Sequence, residues 1–441
     1  MTRNILILGL GLMLGVMLAI GQGVWAEKES SLASSAQTIP LEDIRSLSEV
    51  FGKVKQHYVE DIEDKVLLEN AIRGLLTGLD PHSAYLDKDA FTELREGTSG
   101  EFGGLGIVVG MKDGFVNVIS PIDDTPAEKA GVKSGDLIIR LDEKNVKGMT
   151  LEDAVSIMRG KPDTDILLTI VREGADKPLK IEITRAIIKI QSVRSKTLEE
   201  GFGYIRVSAF QERTGSDLRK AISKLKKANN KKLKGLVLDL RNNPGGLLSA
   251  AVEVSDAFLE GGTVVSIKGR DASNTTTYNA KGADLINEAP IVVLINGGSA
   301  SASEIVAGAL QDHKRGIVMG TLSFGKASVQ TVVPLGNGSA LKLTTARYYT
   351  PSGASIQAKG ITPDIVLDDV KVSKKEDNGF KATKEKDLSG HLENGDAEDD
   401  ENKGKDSKGK KDKLVLAKDD YALYEALNLL KGLNLVKQLQ K

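Results

Sequence analysis

Apolar residues recur along the chain in several patterns, and each pattern predicts a different kind of structure. From residue 40 to about 95 they return every three or four positions, which is typical of amphipathic helices. Between about 97 and 370, short apolar runs alternate with stretches of helical spacing, which predicts strands with helices packed on them. Helical spacing returns at 414–441. The pattern therefore predicts an α/β multidomain protein with a helical N-terminal region and a C-terminal helix.

Residues 371–413 are dominated by Lys, Glu, Asp, Gly and Ser. Such a stretch buries too little apolar surface to offset the entropy of ordering, so we expect a disordered charged linker. The helix at 414–441 would then be tethered flexibly, and a tethered helix often docks on its own protein or on another subunit. We therefore also expect contacts between copies in a homo-oligomer.

Residues 1–26 have the features of a secretory signal peptide. Arg3 precedes an uncharged apolar stretch at 5–20, and Val24-Trp25-Ala26 is a small-x-small cleavage signal. The apolar stretch is short for a membrane span, and an uncleaved anchor that keeps the protein at the membrane is the alternative. Either way we expect export to the periplasm. Residues 27–96 then form the N-terminal helical region, whose first part, 27–39, is Ser- and Ala-rich.

Composition narrows the class of protein. With 441 residues, the chain is long enough for more than one domain. Its 60 Lys and Arg residues nearly balance its 61 Asp and Glu residues, which argues against a nucleic-acid partner. It has no cysteine, so disulfides and cysteine-ligated metals are excluded.

The strongest candidate for chemistry lies where the apolar run 291–295 meets a Gly-Gly-Ser turn and a segment of helical spacing. A serine at such a turn is exposed at the edge of a sheet, at the positive end of a helix dipole. Nucleophilic serines are often found there. The alternative is structural, because Ser301 and Glu304 form a Ser-x-x-Glu capping box, which needs no chemistry. The local pattern leaves both interpretations open.

A nucleophilic serine needs a base, and the histidines are poorly placed for that role. The chain has four histidines: His57, His82, His313 and His391. His313 lies on the same predicted helix as Ser301, roughly 18 Å away along its axis. We expect His82, within an Asp-Pro-His-Ser turn, to be structural. The better candidate is Lys326, since its neighbours are aromatic, small or apolar and burial lowers a lysine pKa. The alternative is an ordinary surface lysine.

Two glycine-rich turns are further candidates for binding. The Pro-Gly-Gly turn at 244–246 follows a predicted buried strand and can aim backbone N–H groups at one point, as an oxyanion hole requires. An ordinary strand-to-helix turn is the alternative. The Gly-Gly-Leu-Gly turn at 103–106 leads into an apolar strand, where amides can converge on a carboxylate and the strand edge can accept an extended peptide.

The motifs together resemble those of the carboxyl-terminal processing proteases, also called tail-specific proteases. The family pattern is Ser-Ala-Ser-Glu-Ile followed by Phe-Gly-Lys-x-x-Val-Gln, and it occurs here at 301–305 and 324–330. The family spacings are met, with 326 − 301 = 25 residues and 330 − 326 = 4 residues. The resemblance implies that Ser301 is the nucleophile, Lys326 the general base and Gln330 the residue that orients the lysine.

The same resemblance implies an oxyanion hole formed by the amides of Ala302 and of either Gly245 or Gly246. It also implies a circularly permuted PDZ domain at 97–185 and an α/β protease core at 186–370. Residues expected to bind the substrate C-terminus are Gly104, Leu105, Gly106 and Ile107. Substrates would be proteins with apolar C-termini, and neither a metal nor a cofactor is needed.

Arg159 follows the predicted PDZ helix that begins at Thr150 with Asp153 as its capping partner. Its ordinary role would be a cation that complements the helix dipole. Because it lies at the exit of the groove helix, we expect it also to couple peptide occupancy to the protease domain. A periplasmic adaptor or regulator is a further expected partner. Two alternative functions are a PDZ scaffold that binds protein tails without cleavage and a crotonase-type acyl-transfer enzyme.

Overall fold

The computed structural model describes residues 40–271, 275–367, 389 and 415–439. The expected signal peptide at 1–26 lies outside the described residues, and so does nearly all of the expected linker at 371–413. The chain divides into two compact units, 1–78 and 79–441. Within the described ranges, no helix is long and apolar enough to cross a membrane.

The first unit is helical, as the apolar spacing predicts. Its helices are α1 (Leu41–His57) and α2 (Asp64–Thr77). Many of the apolar side chains of α1 are exposed, among them Leu41, Leu47 and Val50. Helix α1 therefore presents an amphipathic face whose apolar side is not covered by the described residues of its unit.

The second unit begins with a strand and a helix, β1 (Ala84–Leu86) and α3 (Lys88–Ser99). The region expected to be a PDZ domain follows, and its glycine-rich turn at 103–106 comes first in it. Its elements are β2 (Glu101–Gly104), β3 (Ile107–Lys112), β4 (Phe115–Pro121), α4 (Pro126–Lys129), β5 (Leu137–Leu141), β6 (Lys144–Asn145), α5 (Leu151–Met158), β7 (Asp165–Val171) and β8 (Leu179–Thr184). The main sheet has the order β3-β4-β5-β7-β8, with β6 paired to β5. Helix α5 begins at the expected capping box of Thr150 and Asp153.

The chain leaves the PDZ domain through β9 (Ala186–Lys189), which pairs with β2 in an antiparallel two-stranded sheet. The incoming and outgoing connections of the PDZ domain therefore lie side by side. The pairing continues one residue beyond the two strands, where Ile190 N–H donates to Gly100 O at 2.8 Å. The PDZ domain is thus attached to the protease core by one paired two-strand connection.

The region expected to be the protease core, called the protease core below, contains a six-stranded sheet of order β10-β11-β12-β15-β16-β19. These strands and the helices on them are β10 (Val193–Glu199), β11 (Phe202–Val207), α6 (Thr214–Ala228), β12 (Gly235–Asp239), α7 (Leu248–Asp256), β15 (Ile291–Ile295), α8 (Ala302–Asp312), β16 (Ile317–Gly320) and β19 (Ile365–Val366). Strands β12 and β15 are buried at every residue. Their side chains alternate between two cores, one against the three helices and one against the C-terminal helix.

A second sheet flanks this core and contains β1, β13 (Thr263–Gly269), β14 (Thr275–Asn279), β17 (Ser328–Pro334) and β18 (Ala340–Tyr349). Strand β1 precedes the PDZ domain in sequence, yet it pairs with β18, and Ala84 faces Lys342. The segment from residue 79 onward is therefore built into the protease body, and the PDZ domain is inserted between two of its parts.

One strand is shorter than its apolar pattern predicts. The run 202–210 suggests a single strand, but β11 ends at Val207. Phe210 instead forms an isolated bridge with Gly246, and its N–H donates to Gly245 O at 3.0 Å. The chain leaves the sheet at this point because Phe210 pairs with the glycine turn.

The C-terminal helix α9 (Tyr421–Leu439) covers the second face of the protease sheet. Its buried side chains are Leu423, Ala426, Leu427 and Leu430, and they pack in one core with Val237 and Val292. Just before the helix, Asp420 accepts two hydrogen bonds from the Arg241 guanidinium at 2.7 and 2.8 Å. The expected C-terminal helix is present, and it docks on the body of its own chain.

We expect Leu430→Ala to destabilise the protease domain by about 2–5 kcal/mol, because it removes a fully buried side chain between α9 and the sheet. Thermal unfolding should show a Tm lowered by several degrees. Leu435→Ala is the matched control, since Leu435 lies on the same helix and is 59% exposed, and it should change stability by no more than about 0.5 kcal/mol. Equal Tm values for the two variants would contradict the docking of α9.

Candidate active site

Ser301 lies at the strand-to-helix turn between β15 and α8, with a backbone φ of 57° and ψ of −113°. This conformation is strained for a residue other than glycine, and such strain is typical of functional turns. It is also the arrangement by which a sharp strand–turn–helix exposes a nucleophilic serine. Ser301 is partly exposed at this turn.

Two neighbouring serines are occupied by structural hydrogen bonds. The Ser299 hydroxyl donates to Leu240 O at 2.8 Å, and the Ser303 hydroxyl donates to Asn243 O at 2.8 Å. Both serines are fully buried. Ser301 is therefore the serine of this turn whose side chain can meet a substrate.

Glu304 is a buried carboxylate, 1% exposed, that joins the serine turn to the lysine loop. Its Oε2 accepts hydrogen bonds from Ser301 N–H at 2.7 Å and from Lys326 N–H at 2.9 Å. Its Oε1 accepts from Gly325 N–H at 2.7 Å and from the Ser323 hydroxyl at 2.5 Å. The capping contact of Glu304 with Ser301 is thus present, and the same carboxylate also fixes the backbone of Lys326.

Lys326 is half-buried at the start of the β17–β18 hairpin. Burial is the main cause that lowers the pKa of its ammonium group below 10.5, and the positive charge of Lys342 lowers it further. The charges of Asp80 and Glu304 act in the opposite direction. The surface-lysine alternative does not describe this environment, and a lysine with a lowered pKa is more readily neutral.

Tyr348 lies next to Ser301 and Lys326, although no pattern in the sequence indicates this. Its hydroxyl donates to the Lys326 carbonyl and is hydrogen-bonded to the Ser301 side chain. Burial raises the pKa of Tyr348 well above 10.0, so the phenol stays neutral. It therefore contacts both of the expected catalytic residues without adding a charge.

Gln330 lies on β17, four residues beyond Lys326 and opposite Thr344 of β18. Its side-chain amide donates to the Ser328 hydroxyl at 2.9 Å and to the Thr344 hydroxyl at 3.3 Å. These bonds hold Gln330 on the face of the hairpin. The orientation of Lys326 by Gln330 stays a prediction.

The two candidate glycines of the oxyanion turn differ in their hydrogen bonds. A Cβ on Gly245 would lie 2.8 Å from Ser301 Cβ and 3.0 Å from Ala302 N, so this glycine is required for close approach to the serine. The Gly245 N–H donates to Asn243 Oδ1 at 2.9 Å. Across the described part of the chain, the N–H groups of Gly246 and Ala302 have no hydrogen-bond acceptor. Gly246 in the glycine turn and Ala302 next to Ser301 thus each have an N–H group that is available to a ligand, whereas Gly245 does not.

The predicted carboxylate loop runs from Gly104 at the end of β2 to Ile107 at the start of β3. Gly106 has a φ of +81°, and a Cβ there would lie 2.3 Å from Thr125 Cβ. The carbonyls of Leu105 and Gly106 accept hydrogen bonds from Ala127 N–H and Ile122 N–H, which fixes the loop. In the described ranges the N–H groups of these two residues have no acceptor, as a carboxylate-binding loop requires.

Arg159 is the C-cap residue of α5, and its charge is directed to the helix before the PDZ domain. Its Nη1 donates to Glu96 Oε2 of α3 at 2.8 Å, and the guanidinium lies 5.1 Å from the centroid of the Phe102 ring. Arg159 therefore links the PDZ helix to α3 and does not contact the expected catalytic residues directly. Its coupling role stays a prediction.

Asp80 and His82 are neighbours of Lys326 that the sequence did not assign to the site. Burial, and then the charge of Lys326, lower the pKa of His82 below 6.5. The Asp-Pro-His-Ser turn was visible in the sequence, but nothing local indicated which part of the chain it would meet. Among the described residues, no cluster of three or more potential ligand side chains could hold a metal ion.

Comparison with known proteins supports the resemblance. Residues 201–367 match the model of peptidase family S41, and residues 103–183 match a PDZ domain. Residues 6–90 match the N-terminal domain of the activating protease CtpB. These three matches follow the chain in the order expected from its motifs.

Relatives are similar over most of the chain. A carboxy-terminal-processing protease of Bartonella bacilliformis is 49% identical over 420 residues, which cover 95% of this chain and 94% of that protein. The carboxy-terminal processing protease CtpB of Bacillus subtilis is 36% identical over 371 residues, 80% of this chain and 76% of CtpB. A solved structure of photosystem II D1 C-terminal processing protease is 35% identical, with a TM-score of 0.43 and coverage of 70% and 84%. The chain therefore belongs to the carboxyl-terminal processing proteases, serine peptidases of family S41 that carry a PDZ domain.

Proposed function

We propose that Ser301 and Lys326 form the catalytic dyad of this protease, with Ser301 as nucleophile and Lys326 as general base. One observation carries the proposal: the Glu304 carboxylate bonds the backbone N–H groups of both residues. The serine turn and the lysine loop, whose key residues are 25 positions apart, are thereby both hydrogen-bonded to one buried carboxylate. Gln330 orients the lysine from the adjoining strand.

The dyad cleaves a peptide bond in two steps. Neutral Lys326 takes the hydroxyl proton as Ser301 Oγ bonds to the substrate carbonyl carbon, and the carbonyl oxygen becomes negative. The lysine then gives the proton to the departing amine as the C–N bond breaks, which leaves an acyl-enzyme. A water molecule, deprotonated by the same lysine, attacks the ester and releases Ser301.

The N–H groups of Ala302 and Gly246 stabilise the negative oxygen of the tetrahedral intermediate. Gly246 is preferred to Gly245 because the Gly245 N–H already donates to Asn243. The first helical residue of α8 supplies the second donor, where the helix dipole adds a positive field. Losing one such donor typically costs about 2.7–4 kcal/mol of barrier.

Substrates are proteins recognised at their C-termini by the PDZ domain. The free N–H groups of Leu105 and Gly106 bind the terminal carboxylate, and Gly104 and Ile107 shape the loop on either side. The chain behind the carboxylate adds to the edge of β3 as an extended strand. We propose that an apolar last residue is preferred, since apolar side chains of β3 are partly exposed beside the loop.

The proposed setting is the periplasm, reached through the signal at 1–26. A homo-oligomer is proposed from the exposed apolar side chains of α1, which are too numerous for an ordinary free surface. A periplasmic adaptor or regulator is the further proposed partner, because an exported protease has to be restrained until its substrate is present. No nucleic acid, metal or cofactor has a part in this function.

A PDZ scaffold that binds tails without cleavage is the alternative. It predicts no hydrolysis under any condition, even though Ser301, Lys326 and the free amides are all present. The dyad substitutions below separate the two functions, since a scaffold would bind tails equally well in every variant and cut none.

We expect Ser301→Ala and Lys326→Ala each to lower kcat by about 10³-fold or more for an unstructured protein with an apolar C-terminus, because each removes a group that acts in bond formation. Cleavage measured by gel and mass spectrometry should be lost while tail binding is retained. Lys224→Ala, an exposed change on α6, is the control and should cleave normally. Cleavage that survives in Ser301→Ala would exclude this residue as the nucleophile.

The rate of single-turnover acylation should rise with pH. The pKa of Lys326 is lowered from 10.5, chiefly by burial, so the neutral base becomes available at a lower pH than for a free lysine. Activity is then lost as the pH falls through this lowered value and the lysine gains a proton. A rate that is flat over roughly pH 6–9 would contradict a lysine base tuned near working pH.

Glu304→Gln should impair both stability and turnover. Whichever position the amide NH₂ takes, it faces two N–H or O–H donors that need an acceptor, which costs about 1–3 kcal/mol for each donor left unsatisfied. We expect a lower Tm and a kcat reduced about 10- to 100-fold. Glu253→Gln is the control, because this half-exposed carboxylate makes one salt bridge with Arg219. Wild-type kcat in Glu304→Gln would show that the hydrogen bonds of the Glu304 carboxylate do not position the dyad.

A further inference from the structure

The turn from Asp80 to Ser83 is organised by one carboxylate. Asp80 accepts hydrogen bonds from His82 N–H at 2.8 Å, Ser83 N–H at 3.0 Å and the Ser83 hydroxyl at 2.6 Å. The Ser83 hydroxyl bond is the main cause that lowers the pKa of Asp80 to about 2, so the carboxylate is ionised at any working pH. The turn therefore carries a permanent negative charge in a fixed place.

This turn is bonded to the strand that faces Gln330. The Thr344 hydroxyl donates to Asp80 Oδ1 at 3.1 Å and accepts from Gln330 Nε2 at 3.3 Å. The Thr344 N–H also donates to the Ser83 hydroxyl at 3.1 Å. A continuous chain of side-chain hydrogen bonds thus runs from Gln330 through Thr344 to Asp80.

The backbone fixes the turn in the same position. Strand β1, which follows the turn directly, pairs with β18 so that Ala84 faces Lys342 and Tyr85 faces Leu341. Lys342 and Thr344 are two residues apart on one strand and therefore lie on the same face. Gln330 and Asp80 both bond to Thr344 on this face, and the charges of Asp80 and Lys342 act on Lys326.

The four charged or titratable groups that face Lys326 come from three places in the fold. They are Asp80 and His82 of the turn, Glu304 of α8 and Lys342 of β18. Asp80 and Glu304 favour the protonated lysine, whereas Lys342 disfavours it. Burial and the charge of Lys326 lower the pKa of His82, which favours the uncharged imidazole on this side of the lysine.

We propose that Asp80 is a positioning residue of the protease site: it anchors Gln330 through Thr344 and places a fixed anion beside Lys326. The inference rests on the proposed Ser301–Lys326 dyad. It assigns a role in the chemistry to a segment that precedes the PDZ domain, whereas the other residues of the dyad site follow it. The catalytic body is therefore complete only when residues from both sides of the PDZ domain are present.

The test compares Asp80→Asn with Lys342→Gln in the full-length protein, using the pH dependence of single-turnover acylation. Asp80→Asn removes an anion that favours protonated Lys326, so the rising limb of the profile should move to lower pH. Lys342→Gln removes a like charge, so the limb should move to higher pH. Opposite shifts from two neighbouring substitutions are not expected from a general loss of structure.

Positioning should also appear in the plateau rate. We expect kcat of Asp80→Asn at high pH to fall about 10- to 100-fold, with KM changed less than about two-fold, since the PDZ groove is untouched. Thr344→Val keeps the shape of the side chain but breaks the hydrogen-bond chain. It should lower kcat without moving the limb. Asp89→Asn, an exposed carboxylate at the start of α3, is the charge-matched control and should behave as wild type.

A wild-type kcat and an unmoved limb in Asp80→Asn would overturn the proposal, as would a lower kcat with the limb unmoved. If Asp80→Asn fails to fold, a wild-type kcat in Thr344→Val would overturn it instead. Failure of the dyad itself is distinguishable, because it would appear as cleavage by Ser301→Ala or Lys326→Ala. If both of those variants are inactive and Asp80→Asn has the wild-type kcat and pH profile, only the inference about Asp80 is contradicted and the dyad is not.

Discussion

Glu304 holds a carboxylate at a position that is only 1% exposed, and its four hydrogen bonds determine how the protease site is assembled. A buried carboxylate is costly unless its lone pairs are filled, so its surroundings must supply donors. Two of them are the backbone N–H groups of Ser301 and Lys326. The requirement to satisfy one buried acceptor thus fixes two separate loops relative to each other, and the two side chains of the proposed dyad extend from those loops.

The six-stranded sheet places the glycine turn after β12 next to the serine turn after β15. Strands β12 and β15 are parallel neighbours, so their carboxyl ends lie at one edge, where α/β proteins commonly bind ligands. The turns that follow them are joined by Asn242 N–H to Asn296 Oδ1 at 2.9 Å and by Ala300 N–H to Asn243 O at 3.0 Å. The glycine turn and the serine turn are therefore one structure. Its geometry depends on the fully buried strands beneath it.

The sequence alone predicted the structure correctly where that structure depends on interactions between residues close together in the chain. Periodicity predicted the alternation of strands and helices, including the buried strands β12 and β15 and the helix after Ser301, and the spacing of the Ser301 and Lys326 motifs led to the family. It was not sufficient where a partner lies far along the chain. The bond between Thr344 and Asp80 spans 264 residues, and nothing in an Asp-Pro-His-Ser turn indicates its partner. The choice between Gly245 and Gly246 as the proposed oxyanion donor likewise depended on a hydrogen bond to Asn243 that only the folded turn reveals.

The most direct test of this account is the pKa of Lys326 itself. It can be measured by NMR titration of ¹³C-labelled lysine side chains, with the signal of Lys326 identified by its absence in Lys326→Arg. The account predicts that this signal titrates clearly below the ordinary lysine value of 10.5, because the ammonium is half-buried beside Lys342. Titration at or above that value would contradict it, since a lysine that remains protonated cannot take the proton of Ser301.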